Sequence, residues 1–280
     1  MSLQPPLTSQ NGEDFLILSA FESRTRGFFV DIGAFDGVHL SNTWALERLG
    51  WSGICLEPLP QLFPLLTKNR PGSRCIEAAA GPDSGISALF TDPTLMFSSQ
   101  QSEDRVRTAF QAVPEFRGLD THSIEKLEVE VVTLDDVLRR AQWRGGVDLV
   151  NIDVAGSEKA VLAGFDVKTH APRVIVVAAS DETSQHDVTR HLESAGYELC
   201  RTVGPTLFFA MEETLTRRLS KTDVSCFLPR NLHPFGIAHT RLDQRNDRVL
   251  LHGRGLTLHE LAALERTLAG APSHNGKTTS

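Results

Sequence analysis

The feature that most constrains this chain is the alternation of short apolar runs with helical patterns over its first 210 or so residues. Phe28–Ile32, Gly53–Glu57, Ser73–Ala78, Val147–Ile152, Arg173–Ala178, Tyr197–Thr202 and Thr206–Ala210 are rich in apolar and β-branched residues and read as seven strands. The first five lack strict apolar–polar alternation, as expected of strands buried on both faces. Helix patterns at Glu13–Ala20, Ser41–Leu49, Pro60–Asn69, Ser157–Leu162 and Thr183–Ala195 fall between them. Strand–helix alternation at this spacing predicts βαβ units and a doubly wound, mainly parallel α/β sheet. Only Gly204 and Pro205 and their neighbours separate the last two strands, and so short a link makes an antiparallel hairpin.

Two regions break the alternation. Thr91–Glu128 is long, polar and weakly periodic, with Phe97, Phe110 and Phe116 spread through it; an insert of this kind usually covers an active site or is partly disordered. Residues 213–280 form a C-terminal extension to the domain at 1–212. Within it, Thr257 and Glu260 make a capping box for a leucine-spaced helix at 257–268, which could pack on its own domain or serve as a homodimer contact.

A net charge of −7 disfavours an extended surface for nucleic acid or an anionic membrane. The four cysteines are scattered without metal-ligand spacing, and no apolar run is long enough for a membrane span. Met1–Asn11 is polar and lacks a leader pattern, so the expectation is a cytoplasmic protein.

The turn after the first strand carries the strongest local signal. In Val30-Asp31-Ile32-Gly33-Ala34-Phe35-Asp36-Gly37 an acid closes the strand and two glycines follow where a backbone must turn sharply or approach a ligand. An ordinary strand–helix turn uses the same residues. The second strand ends in Glu57-Pro58, about twenty residues further on, where an acid can accept hydrogen bonds from the ribose hydroxyls of an adenosine ligand. A dinucleotide site would instead want a glycine opening the turn, where Asp31-Ile32 stands, so a nicotinamide enzyme is the weaker reading.

The run Val30 to Glu47, with Ser41-Asn42-Thr43 and then Gly50-Trp51-Ser52-Gly53, resembles the FkbM family of methyltransferases. Ser9–Asp14, Ala78–Gly81, Thr133–Leu138 and Val147–Glu158 extend the resemblance over roughly Gln10 to Ala210. It implies a Rossmann-like class I methyltransferase that uses S-adenosyl-L-methionine, commonly for O-methylation of a small metabolite, sugar or polyketide. By position it assigns Asp31, Gly33 and Gly37 to the methionine pocket, Glu57 to the ribose, and Ala79 and Ala80 to the neighbourhood of the adenine, with Ala34, Asp36 and Pro58 as further cofactor contacts. Ser41 and Asn42 sit at a helix start, where free amides could meet a carboxylate or simply be capped.

Two departures stand out. The family usually writes Asp-Val-Glu-Gly where this chain has Asp153-Val154-Ala155-Gly156, and the fifth strand ends in Ala178-Ala179 rather than an acid. Asp153 is then the first candidate for a catalytic base, followed by His122 in the insert and by His170 and Asp181. A divalent metal on Asp153 and Asp181 is conceivable but not favoured, since the second acid is missing. The expected partner is a small-molecule acceptor. A protein that binds the methyl donor without catalysis, as an interaction module, is the competing reading.

Overall fold

Burial on both faces explains why the apolar runs show no simple period, and all seven expected strands do lie in one sheet. The computed structural model describes residues 7–92, 97–100, 102–104, 106, 124–179 and 181–223, with backbone strands at 241–243, 248–251 and 254–257. In chain order the strands are β1 (Phe28–Ile32), β2 (Ser52–Leu56), β3 (Ser73–Ile76), β4 (Ala79–Ala80), β5 (Gly85–Asp92), β6 (Phe97–Ser99), β7 (Glu125–Val132), β8 (Leu149–Ile152), β9 (Val174–Ala178), β10 (Glu198–Val203) and β11 (Thr206–Ala210), then β12 (Arg241–Asp243), β13 (Arg248–Leu251) and β14 (Arg254–Thr257). The helices are α1 (Glu13–Ala20), α2 (Trp44–Arg48), α3 (Phe63–Asn69), α4 (Leu134–Arg140), α5 (Glu158–Ala163), α6 (Val167–His170), α7 (Glu182–Ser194) and α8 (Glu213–Lys221).

The main sheet runs β10-β11-β9-β8-β1-β2-β3. Its pairs are parallel from β9 to β3, while β11 lies antiparallel to both β9 and β10. The chain enters at the centre with β1, walks to the β3 edge, then returns to β8 on the other side of β1. That reversal leaves a crevice beyond the carboxyl ends of β1 and β8, where open α/β sheets bind ligands.

Alternate residues of each strand serve opposite layers. Val30, Ile32, Ile54, Val150, Ile152 and Ile175 share a core with α4, α5, α6 and α7. Phe29, Cys55, Leu149, Val174, Val176 and Phe208 share another with α1, α2, α3 and α8. Helix α8 lies in the span assigned from sequence to the C-terminal extension, and its Leu215 and Leu219 are buried in this second core.

A second sheet, β4-β7-β5-β6, departs from the sequence expectation. The third strand ends at Ile76 rather than Ala78, and Ala79-Ala80 turns away to pair with Val131-Val132. The insert begins and ends in strands, because β5 and β7 pair antiparallel from Gly85 with Val131 to Thr91 with Glu125. The signal was present in β7, whose Leu127, Val129 and Val131 alternate with Lys126, Glu128 and Glu130. Leu89, Val129 and Val131 pack with Leu59, Leu62 and Ala79, forming an apolar wall above the ends of β2 and β3. Phe110, Phe116 and the helix expected at 257–268 lie outside the described residues, apart from Thr257, which ends β14. No helix among the described residues is long and apolar enough to cross a membrane.

Phe208, wholly buried in β11, ties the antiparallel strand to the α1 and α8 layer. Phe208→Ala is expected to lower unfolding free energy by about 3–5 kcal/mol, read by urea denaturation.

Candidate active site

The turn after β1 is fixed before any ligand is considered. The amides of Gly33 and Ala34 both donate to the Leu56 carbonyl, at 3.0 and 2.9 Å, pinning the turn to the end of β2. Gly33 has φ +80°, and a Cβ there would stand 1.9 Å from the Asp153 carbonyl oxygen. Only glycine lets the turn lie against the end of β8. Gly37, at φ +84°, makes room for the side chain of Arg70, whose Cγ would stand 2.6 Å from an added Cβ.

Arg70 is the organising cation and gave no signal in the sequence. Its side chain is fully buried. Nε donates to Glu47 at 2.8 Å, Nη2 to the Thr43 hydroxyl at 2.9 Å, and Nη1 to the Gly37 carbonyl at 3.1 Å and the Ser41 hydroxyl at 3.3 Å. The guanidinium also lies 5.2 Å from the Phe29 ring centre and 3.9 Å from the Asp31 carboxylate. Thr43 passes the link on, donating to Asp31 Oδ2 at 2.5 Å, while Asn151 donates to Asp31 Oδ1 at 2.8 Å and accepts from Asn42 at 3.0 Å. Three strand or turn segments and α2 are thereby tied to one buried carboxylate.

Above this network lies a cavity of about 330 Å³. Asp31, Gly33, Ala34, Ser41, Asn42, Glu57, Pro58, Ala79 and Ala80 line it together with Asp153, as do Phe35, Leu62, Leu89, Gln100 and Asn151, which the sequence reading did not name. Asp36 and Gly37 do not line it. Asp36 accepts from the Val38 and His39 amides at 2.9 and 2.8 Å and pairs with the His39 ring, so it shapes the turn instead. Ser41 accepts from the Thr43 and Trp44 amides, which makes it a cap of α2 as well as part of the wall.

Glu57 is 5% exposed, and its two oxygens accept from the Phe35 and Leu59 amides at 3.0 and 2.9 Å. Burial pushes its pKa up to about 7 against the pull of those amides, and the Asp31 charge adds to the rise. Each oxygen keeps a lone pair for a ligand hydroxyl. Asp153, at the end of β8, has its amide held by the Ile32 carbonyl at 2.9 Å. Its side chain lines the crevice and is exposed at its mouth. Lost solvation, with the Glu158, Asp31 and Glu13 carboxylates nearby, pushes its pKa up to about 7.

The remaining candidates lie elsewhere. His170 pairs with Asp135 at 3.1 Å and stacks on Phe165. Asp181 caps α7 through the Ser184 amide and hydroxyl. His122 lies outside the described residues. Among the described residues no group of three or more His, Cys, Asp or Glu side chains gathers to hold a metal ion. The cavity thus offers an acidic floor, an apolar roof from the second sheet, and a buried carboxylate whose two oxygens are fixed by backbone amides.

A model of the methyltransferase FkbM domain matches residues 31–199. No curated protein matches the sequence. Among solved structures, the chain is similar to the C-terminal domain of precorrin-6Y C5,15-methyltransferase from Rhodobacter capsulatus, with 14% identity, 75% of this chain and 99% of that one covered, and a TM-score of 0.38. It is also similar to Aeropyrum pernix fibrillarin in complex with S-adenosyl-L-methionine, with 12% identity, 72% and 76% covered, and a TM-score of 0.38. A TehB-like SAM-dependent methyltransferase from Corynebacterium glutamicum has 13% identity, with 72% and 88% covered and a TM-score of 0.36.

Glu57 carries a pH prediction. Its folded pKa of about 7 exceeds the ordinary 4.5, so between those values the folded state holds more proton than the unfolded one. The stabilisation is complete below 4.5 and is lost as pH rises through about 7. Melting temperature of the ligand-free protein should fall across that window, and Glu57→Gln should flatten the fall.

Proposed function

The chain belongs to the FkbM methyltransferase family and is an S-adenosylmethionine-dependent methyltransferase, and from that premise we propose that the crevice over β1, β2 and β8 transfers the methyl group to a hydroxyl oxygen of a small metabolite, sugar or polyketide-like acceptor. One observation carries the reading: a buried carboxylate, Glu57, faces the same cavity as Asp31, Gly33 and Asp153, with backbone amides fixing both of its oxygens.

The residues fit the donor. Glu57 would accept from the ribose hydroxyls, while Pro58, Ala79, Ala80 and Leu89 would flank the adenine. Asp31 and the Gly33–Ala34 turn would hold the methionine end, with Ser41 and Asn42 near its carboxylate. S-Adenosylmethionine supplies an electrophilic methyl group on a sulfonium, which an in-line nucleophile displaces.

The protein's contribution is alignment and proton removal. Asp153 stands at the strand end, and a pKa of about 7 lets its carboxylate take the acceptor's hydroxyl proton at neutral pH. The net charge of −7 favours a small acceptor over a polyanion such as nucleic acid.

A second reading has its own observation. Ala155 lines the crevice at φ +46°, in the position where the family resemblance leads one to expect glutamate. A chain that has lost that acid could bind the donor and serve as an interaction module.

Calorimetric titration separates these readings in steps. S-Adenosylhomocysteine should bind one per chain and NAD should give no heat; the reverse pattern would replace the methyltransferase reading with a nicotinamide one. Glu57→Ala should weaken S-adenosylhomocysteine binding by about 1–3 kcal/mol. With labelled donor and a panel of hydroxylated acceptors, Asp153→Asn should cut turnover by at least about 100-fold while leaving donor affinity within about twofold. Donor binding without transfer to any acceptor would favour the module.

A further inference from the structure

One row of the main sheet continues from the Asp31 network to two cysteines. Register pairs Asn151 with Asp31, Asp31 with Cys55, and Cys55 with Cys75, across β8, β1, β2 and β3. Paired residues on adjacent strands point to the same face, and both cysteines pack into the core shared with α1, α2, α3 and α8. Cys55 is wholly buried, whereas Cys75 at the sheet edge is partly exposed. Adjacent strands run about 4.8 Å apart, inside the span that a disulfide closes.

Their surroundings divide the chemistry between them. Interaction with Cys55 and the Arg70 charge hold Cys75 below the usual thiol value, and its Sγ lies 4.0 Å from the Ser73 carbonyl. Interaction with Cys75 and burial hold Cys55 well above it. Cys75 is thus the more acidic and more accessible sulfur and Cys55 its buried partner, the pairing that favours oxidation at one sulfur and resolution by the other.

We propose that Cys55 and Cys75 are a reversible dithiol–disulfide site, closed by hydrogen peroxide, whose closure weakens binding in the crevice. The Cys75 thiolate attacks one peroxide oxygen; the O–O bond breaks, leaving a sulfenic acid, and the departing hydroxide takes a proton to become water. The Cys55 sulfur then attacks the Cys75 sulfur; the S–O bond breaks, and the hydroxide released takes the Cys55 proton. Two thiols are oxidised and one peroxide is reduced to two waters.

The coupling is short-ranged. Glu57 follows Cys55 by two residues and Ala79 follows Cys75 by four, so a change in the spacing or twist of β2 and β3 on closing the bond reaches two walls of the cavity. Thiol–disulfide exchange with an external dithiol would reopen the bond, which makes the change reversible. This coupling rests on the proposed cofactor site; formation of the bond does not.

The test uses the full chain carrying Cys200→Ser and Cys226→Ser, so that only this pair can react. Hydrogen peroxide should remove two hydrogen atoms by intact mass, and peptide mapping should link Cys55 to Cys75. S-Adenosylhomocysteine affinity should fall by about tenfold, and dithiothreitol should restore both mass and affinity. Adding Cys75→Ser, or Cys75→Ala should the first variant fold poorly, should abolish the response to peroxide. Absence of the linked peptide overturns the site. A linked protein of unchanged affinity overturns the coupling. Failure of the reduced protein to bind S-adenosylhomocysteine overturns the cofactor reading and the coupling with it, while the mass result still decides the disulfide.

Discussion

The structure depends on a buried ion network centred on Arg70 and Asp31. Taking a guanidinium out of water costs several kcal/mol, and a partner left alone beside it would be costly too. Here the cost is offset by geometry, since the guanidinium finds Glu47, Thr43, Ser41 and the Gly37 carbonyl, with the Phe29 ring beneath it. Asp31 in turn accepts from Thr43 and Asn151. The long turn between β1 and α2 therefore closes onto α3 and the sheet in one arrangement, and that arrangement is a wall of the crevice. Glu47 extends the network to the start of β3 through the Gly72 amide at 2.9 Å and the Ser73 hydroxyl.

The crevice combines this polar floor with an apolar roof of different origin. Sheet topology places the opening at the reversal between β1 and β8, and Gly33 lets the turn and the Asp153 backbone touch. The second sheet supplies Leu89 over Pro58 and the Ala79-Ala80 step. Lost solvation and neighbouring carboxylates leave Glu57 and Asp153 hard to ionise, both with pKa values of about 7. A cationic ligand would reverse that penalty for either carboxylate, so the site is electrostatically suited to positive charge.

Much of this was legible in the sequence, for definite reasons. Strands buried on both faces have a strong local signature, and the Gly204-Pro205 link left only a hairpin as an ending. Asp31, Gly33 and Glu57 were found because glycine conformation and strand-end acids are constrained locally. Arg70 was not, because nothing in a sequence marks which of many arginines will be buried beneath a turn more than 25 residues upstream. Asn151 was passed over beside Asp153, although its place in β8 directly opposite Asp31 decides its role. The strands β5 and β7 were absorbed into an apparent loop; β7 does alternate, but the partner that gives the alternation meaning lies across the insert. Asp36 looked like a ligand contact and is instead held by its own turn and His39.

The most direct measurement is a crystal structure grown with S-adenosylhomocysteine. The account predicts density in the crevice, with the ribose hydroxyls on the Glu57 carboxylate, the adenine against Pro58 and Ala79, and the sulfur facing Asp153. A nucleoside lodged elsewhere, or a crevice filled by its own side chains with Glu57 turned from the ligand, would contradict it.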